Sequence, residues 1–124
     1  MEELANRKFD KTELSTIFLK NLTHSNIHYF IAELNGKPAG FGSLYIQPLL
    51  HHAGPVGEIQ ELVVMPEFRS TGIGKQLLDH ITLLATEKGC CLLELASSRS
   101  RTESHRFYLR EGFADSHHKF TKKL

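Results

Sequence analysis

The chain has no apolar run near the roughly 20 residues that a membrane-spanning helix needs, so no such helix is expected. Its first residues, Met1-Glu2-Glu3, are acidic where a secretory leader would be basic and then apolar, which argues against a signal peptide. Cysteine is nearly missing. Cys90 and Cys91 are the only two, and as chain neighbours they cannot form a sensible structural disulfide with each other. A reducing, cytoplasmic setting is the expectation. Neither sign of charge is in excess: 15 lysines and arginines stand against 14 aspartates and glutamates, a formal net charge of +1. That removes any global electrostatic case for nucleic acid or an anionic membrane as partner. Internal repeats, low-complexity tracts and linkers are also missing. A length of 124 residues suits one domain with a real core, not two, so a single domain over residues 1–124 is expected.

What is present is ordinary in bulk and informative in order. With 40% hydrophobic and 23% charged residues the chain has the balance of a globular protein, and its eight histidines should add positive charge just below neutral pH. After a short N-terminal stretch, Leu14, Ile17, Phe18 and Leu22 follow helical spacing, with Asp10 or Thr12 as cap. His28–Leu34 reads as a strand, Asn35-Gly36 as a hairpin turn, and Ala39–Ile46 as the returning strand. Gly40 and Gly42 inside that strand call for a bulge or a close neighbour. Gln47–Gly57, with Pro48 and Pro55, reads as a loop. A strand from Glu58 to Val64 then stops at Pro66, and a helix runs from about Gly72 to Lys88, closed by Gly89. Cys90–Ala96 reads as a strand buried on both faces. Ser100-Arg-Thr-Glu103 has the form of a capping box opening a helix that stops at Gly112, and Phe113–Thr121 reads as a last strand. A strand that crosses through a helix to the next strand implies parallel pairing at the centre, beside hairpin pairing at the edge. The fold class expected is α/β, a mixed sheet with a central parallel pair flanked by helices.

Chemistry concentrates between Glu58 and Lys75. The loop Arg69-Ser70-Thr71-Gly72-Ile73-Gly74-Lys75 joins a strand to a helix start, where free N–H groups and the positive dipole end suit a phosphate or pyrophosphate. An ordinary strand-turn-helix would look much the same from this loop alone.

Three segments together carry a resemblance: Glu61-Leu-Val-Val-Met-Pro66, Arg69-x-x-Gly72-x-Gly74 and Phe107-Tyr108-Leu-Arg-Glu-Gly112-Phe113. Their order and spacing resemble those of the GNAT superfamily of N-acetyltransferases, from about His28 to the end of the chain. Within it, Gly57-Glu-Ile-Gln-Glu-Leu-Val-Val-Met-Pro66 and His105-Arg-Phe-Tyr-Leu-Arg-Glu-Gly112 resemble the bacterial aminoalkylphosphonate N-acetyltransferases. The resemblance implies an acetyl-CoA-dependent enzyme acting on a primary amine of a small molecule by direct attack in a ternary complex, with a homodimer as a family expectation only. A protein or peptide acetyltransferase and a non-catalytic acyl-CoA-binding module stay open as alternatives. In two respects the chain departs from the family. It starts near the end of the usual first helix, so the family's N-terminal strand is expected to be absent, and Ser70 stands where many relatives carry glycine.

The resemblance also implies roles. It assigns the pyrophosphate of acetyl-CoA to Arg69, Ser70, Thr71, Gly72, Ile73, Gly74 and Lys75, and the pantetheine arm to the backbone of Leu62, Val63 and Val64. Tyr108 is the candidate general acid, since a phenol is protonated at neutral pH and can protonate a departing thiolate. Glu58 is the candidate general base. On an ideal strand Glu58, Gln60 and Leu62 share one face with Glu61 on the other, but a bulge would break that count, so Glu61 remains a rival. His51 and His52 raise a divalent metal as a second cofactor, but adjacent histidines on an extended segment diverge, and a polar loop is the favoured reading. No metal ligand is assigned. Arg99, Arg101 and Arg106 near the last strand–helix junction suit either a phosphorylated ligand or a solvated basic face.

Overall fold

The computed structural model describes residues 11–49 and 54–124, with side chains described from Ser15 onward. Helix α1 (Lys11–Leu22) leads into β1 (Ile27–Leu34), β2 (Lys37–Leu49), β3 (Gly54–Ile59) and the short β4 (Leu62–Val64). A 3-10 turn at Pro66–Phe68 precedes α2 (Ile73–Glu87), β5 (Leu92–Leu95) and α3 (Thr102–Arg110). These strands form one mixed sheet in the order β1-β2-β3-β5, with β4 paired to β2. All contacts are antiparallel except β3–β5, the expected parallel pair.

One face of the sheet is covered by α2. Ile73, Leu77, Leu78, Ile81 and Ala85 line its buried side; Leu78, Ile81 and Ala85 pack with Leu44, Ile46 and Ile59, and Ile73 and Leu77 with Ala39. Gly40 and Gly42 make this approach possible. A Cβ on Gly40 would lie 2.8 Å from Leu77 Cδ1, and one on Gly42 would lie 2.9 Å from Ile81 Cδ1. Close packing therefore accounts for both glycines, and a bulge adjoins the first: Ala32 and Glu33 pair Gly40 and Pro38, leaving Ala39 as the extra residue. On the opposite face α1 is held by Phe18, stacked on Tyr29 at 4.9 Å, and by Asn21, whose amide donates to Tyr29 Oη at 2.9 Å. Ile17 and Leu22 are more than half exposed there, so among the described residues the apolar stripe of α1 is only partly used.

Five expectations change. The segment read as a loop from Gln47 to Gly57 is mostly hairpin, with Gln47, Pro48 and Leu49 facing Val56, Pro55 and Gly54. Facing prolines are tolerated where neither N–H would point at its partner, and both rings then sit in one non-hydrogen-bonded pair. The central strand is broken: β3 ends at Ile59 and β4 begins at Leu62. The strand read as Cys90–Ala96 shortens to Leu92–Leu95 and is not doubly buried, with Leu92 42% exposed and Cys91 exposed. No strand forms in residues 113–124; the polar run Asp115–Lys119 breaks the alternation, and Phe120 is 92% exposed. Finally, the residue capping α3 is Arg101, without a side-chain cap bond, while the Ser100 hydroxyl meets Ser98 Oγ at 3.0 Å. The N-terminal turn and the pair His51-His52 lie outside the described residues.

Candidate active site

The break between β3 and β4 organises the site. Leu62 is four positions along the chain from Glu58, but their β2 partners, Gly42 and Tyr45, are only three positions apart. One extra residue is therefore inserted at Gln60-Glu61, which is a bulge. Residues directly opposite one another share a face, so Glu58 lies with Tyr45 on the α1 side, whereas Leu62 lies with Gly42 on the α2 side. The insertion puts Glu61 beside Ser43, on the same face as Glu58. The count on an ideal strand, which separates the two glutamates, does not hold.

The bulge also opens a gap. β5 pairs β3 as far as Leu95↔Ile59 and pairs nothing beyond, while β4 continues along β2. Ser43 N donates to Glu61 O at 3.0 Å and Met65 N to Ala39 O at 2.8 Å, so Glu61, Val63 and Met65 turn their backbone groups into the β2 ladder. By alternation, the N–H and C=O groups of Leu62 and Val64 face the gap. Of the three residues expected to offer backbone, Val63 is thus directed away from it. Arg69 reaches the gap from the loop, where its Nε donates to Val64 O at 3.4 Å. Two residues past Leu95, the buried hydroxyl of Ser97 has no partner among the described residues.

At one end of this gap stands the start of α2. Gly72 caps it at φ +87°, and the first helical bond is Gln76 N to Gly72 O at 3.1 Å. The N–H groups of Ile73, Gly74 and Lys75 therefore have no acceptor within the helix. Thr71 Oγ1 donates to Phe68 O and fixes the turn. Ser70 is left-handed too, at φ +65°. A side chain in this region costs about 1–2 kcal/mol, which a glycine would avoid. Glycine also costs roughly 0.5–1 kcal/mol in chain entropy on folding. Ser70→Gly should consequently stabilise the protein by about 0.5–1 kcal/mol. Urea denaturation checks this, and a loss of stability would contradict the strained turn.

Lys75 is less available than its motif position suggests. Its Nζ lies 3.1 Å from Glu111 Oε1 and 3.3 Å from Asp79 Oδ2, and the Glu111 carboxylate, then Asp79, push its pKa above the ordinary lysine value. No local sequence signal marks Glu111; its place just before Gly112 at the end of α3 brings it to the start of α2.

Helix α3 closes the site from the same side as α2. Phe107 Cζ would sit 3.7 Å and Val64 Cγ2 3.5 Å from a Cβ on Gly74, so β4, α2 and α3 meet at this glycine. Tyr108 is half-buried, edge-on to Phe107 at 5.5 Å and to Phe113 at 5.8 Å. Burial raises its pKa above the ordinary tyrosine value, against a smaller opposing effect of Arg101. Its hydroxyl makes no hydrogen bond among the described residues.

Glu58 is half-buried at the end of β3, opposite Tyr45 and Glu94, and its Oε1 accepts a hydrogen bond from Gln60 Nε2. No contact joins it to Tyr108, which belongs to the layer on the other side of the sheet. Glu61 is deeper. It accepts from the Ser43 hydroxyl and its own N–H donates to Ser43 Oγ at 2.9 Å; burial raises its pKa, partly offset by that hydroxyl. Arg99 Nη2 lies 3.3 Å from His118 Nδ1 and Arg101 caps α3, so neither is directed to the gap by a contact. Among the described residues no cluster of three His, Cys, Asp or Glu side chains could hold a metal, and no helix is long and apolar enough to cross a membrane.

A gap lined by outward backbone on one wall and ended by a helix N-terminus suits a long, extended donor that carries phosphate. Comparison with known proteins agrees. Residues 1–113 match the family model described as Acetyltransferase (GNAT) family. The chain belongs to this family and is an N-acetyltransferase. It is 45% identical over 122 residues to the aminoalkylphosphonate N-acetyltransferase of Salmonella typhimurium strain LT2, covering 98% of this chain and 79% of that one. Glucosamine 6-phosphate N-acetyltransferase of Trypanosoma brucei brucei is 36% identical over 85 residues, which are 68% of this chain and 56% of that one. In fold the chain resembles AAC(6')-Iy in complex with the bisubstrate analog CoA-S-monomethyl-acetylneamine, with a TM-score of 0.86 at 24% identity, covering 99% of this chain and 85% of that one.

Proposed function

We propose that the protein transfers the acetyl group of acetyl-CoA to the primary amine of a small aminoalkylphosphonate by direct attack in a ternary complex. The observation that carries this is the gap between β4 and β5, open on the backbone of Leu62 and Val64 and ended by the start of α2. The 45% identity to an aminoalkylphosphonate N-acetyltransferase supports the substrate class.

Acetyl-CoA is here a substrate, and the residues present fit it. The free N–H groups of Ile73, Gly74 and Lys75, with the turn from Arg69 to Gly72, would hold its pyrophosphate. The outward edge of β4 would pair the pantetheine arm as a further strand does, which needs backbone alone and leaves the side chains to the core. Leu62, first beyond the bulge, offers the N–H best placed to meet negative charge on the thioester oxygen during attack. Glu58 takes a proton from the amine, the amine nitrogen bonds the acetyl carbon, the carbon–sulfur bond breaks, and Tyr108 protonates the leaving thiolate. The cysteines fit no acyl-enzyme. Both precede β5, so Cys91 is four residues from Leu95, about 13 Å along a strand from the gap.

The test is free thiol release from acetyl-CoA with 2-aminoethylphosphonate, against ethylamine of the same chain length. Turnover with both, and a KM lower by about 10-fold or more for the phosphonate, is expected, since a charge-assisted hydrogen bond is worth about 1.5–3 kcal/mol. Equal KM values would remove the phosphonate from the reading, and CoA binding without thiol release for any amine would leave a binding module.

A further inference from the structure

One side chain controls the bulge. Ser43, on β2, is wholly buried and meets Glu61 through three bonds. Its hydroxyl donates to the Glu61 carboxylate and accepts from Glu61 N at 2.9 Å, while its own N–H donates to Glu61 O at 3.0 Å. The hydroxyl thus takes the place that a backbone carbonyl would hold in a regular ladder. This is also where the strand changes phase. In the unbroken register of β3, Leu62 would stand opposite Phe41, and its N–H would be spent in the β2 ladder. With the extra residue accommodated at Glu61, Val63 takes that place and Leu62 faces the gap.

We propose that Ser43 is a positioning residue for acetyl transfer: by pinning Glu61 it holds the inserted residue in place, and so directs the Leu62 N–H at the reacting thioester. The proposal rests on the acetyltransferase reading above and assigns Glu61 to geometry, with proton transfer left to Glu58. Removing the hydroxyl leaves a buried N–H without its acceptor and a buried carboxylate without its donor, which favours reopening of the bulge. The neighbouring phenols act elsewhere. Tyr45 bonds Asn21 and Tyr29, and so ties α1 to the sheet.

Three proteins, wild type, Ser43→Ala and Glu61→Gln, decide the matter by kcat, KM for acetyl-CoA and hydrogen exchange at the Leu62 and Val63 amides. Ser43→Ala should lower kcat by about 10–100-fold, somewhat less than outright loss of an oxyanion donor, with KM for acetyl-CoA within about threefold. Exchange at Leu62 should change while Val63 stays protected. Glu61→Gln keeps an acceptor oxygen for the hydroxyl, and should keep at least about a third of kcat with an unaltered pH profile. A Ser43→Ala kcat within twofold of wild type overturns the proposal. So does loss of activity and of the acidic limb in Glu61→Gln, which would make Glu61 the base. If the wild type turns over no amine, the enzymatic reading fails by itself. The exchange data still decide the role of Ser43, because an unchanged Leu62 amide in Ser43→Ala refutes it.

Discussion

Tyr108→Phe is expected to lower kcat for acetyl transfer by about 10²–10³-fold while leaving CoA affinity within about twofold, the usual range for a lost general acid. The substitution removes one oxygen and keeps the ring. That ring is what packs, edge-on between Phe107 and Phe113, so the fold should not register the change. The half-buried setting that raises the pKa of Tyr108 keeps the phenol protonated through the neutral range. It does not make the proton useless. A thiolate formed in the same poorly solvated surroundings is also more basic than in water, so the transfer becomes feasible as the carbon–sulfur bond breaks. Steady-state rates of thiol release and a CoA titration check this together. A variant with wild-type kcat would take the acid role from Tyr108, and one that fails to bind CoA would make its role structural.

Glu58→Gln should cost about 10²-fold in kcat near pH 7, and the deficit should shrink as the pH approaches about 10, where an alkylamine loses its proton unaided. The sign follows from the amine. A base is needed only while the nucleophile is protonated, so wild type and variant should converge at high pH. The comparison also decides between the glutamates, because the bulge brings Glu61 to the same face while burying it against Ser43. A deficit equal at every pH would contradict proton removal by Glu58. A deficit seen instead in Glu61→Gln would move the role three residues further on, into the bulge.

Much of the fold could be read from the chain because local signals and burial agreed. The 3.6-residue spacing of Ile73, Leu77, Leu78, Ile81 and Ala85 is the buried side of α2, Asn35-Gly36 is the hairpin turn, and Gly89 ends the helix at φ +80°. The motif residues from Arg69 to Lys75 do sit at a helix start. What could not be read depended on partners. Whether Pro48 ends a strand depends on which way its nitrogen points, and that is set by the register with Pro55. A last strand at Phe113–Thr121 would need a neighbour to accept its ladder, and none is paired to it among the described residues. A bulge could be raised as a possibility near Glu58 and Glu61, but not placed. No composition or period marks Gln60-Glu61; only the mismatch between the β3 and β4 registers on β2 shows it, and with it the exclusion of Val63 and the importance of Ser43. Serine in an apolar strand is easily passed over. The signal lay in a polar residue two places from Phe41 and Tyr45, on a face otherwise filled by aromatic rings.

Amide hydrogen exchange with and without CoA, resolved at Leu62, Val63 and Val64, tests the account of the gap most directly. Free protein should show Val63 protected by β2, with Leu62 and Val64 exchanging faster. Saturating CoA should slow Leu62 and Val64, along with Ile73, Gly74 and Lys75, and leave Val63 as it was. Protection that appears at Val63 alone, or CoA binding that leaves all of these amides unchanged, would contradict a donor held along the open edge of β4.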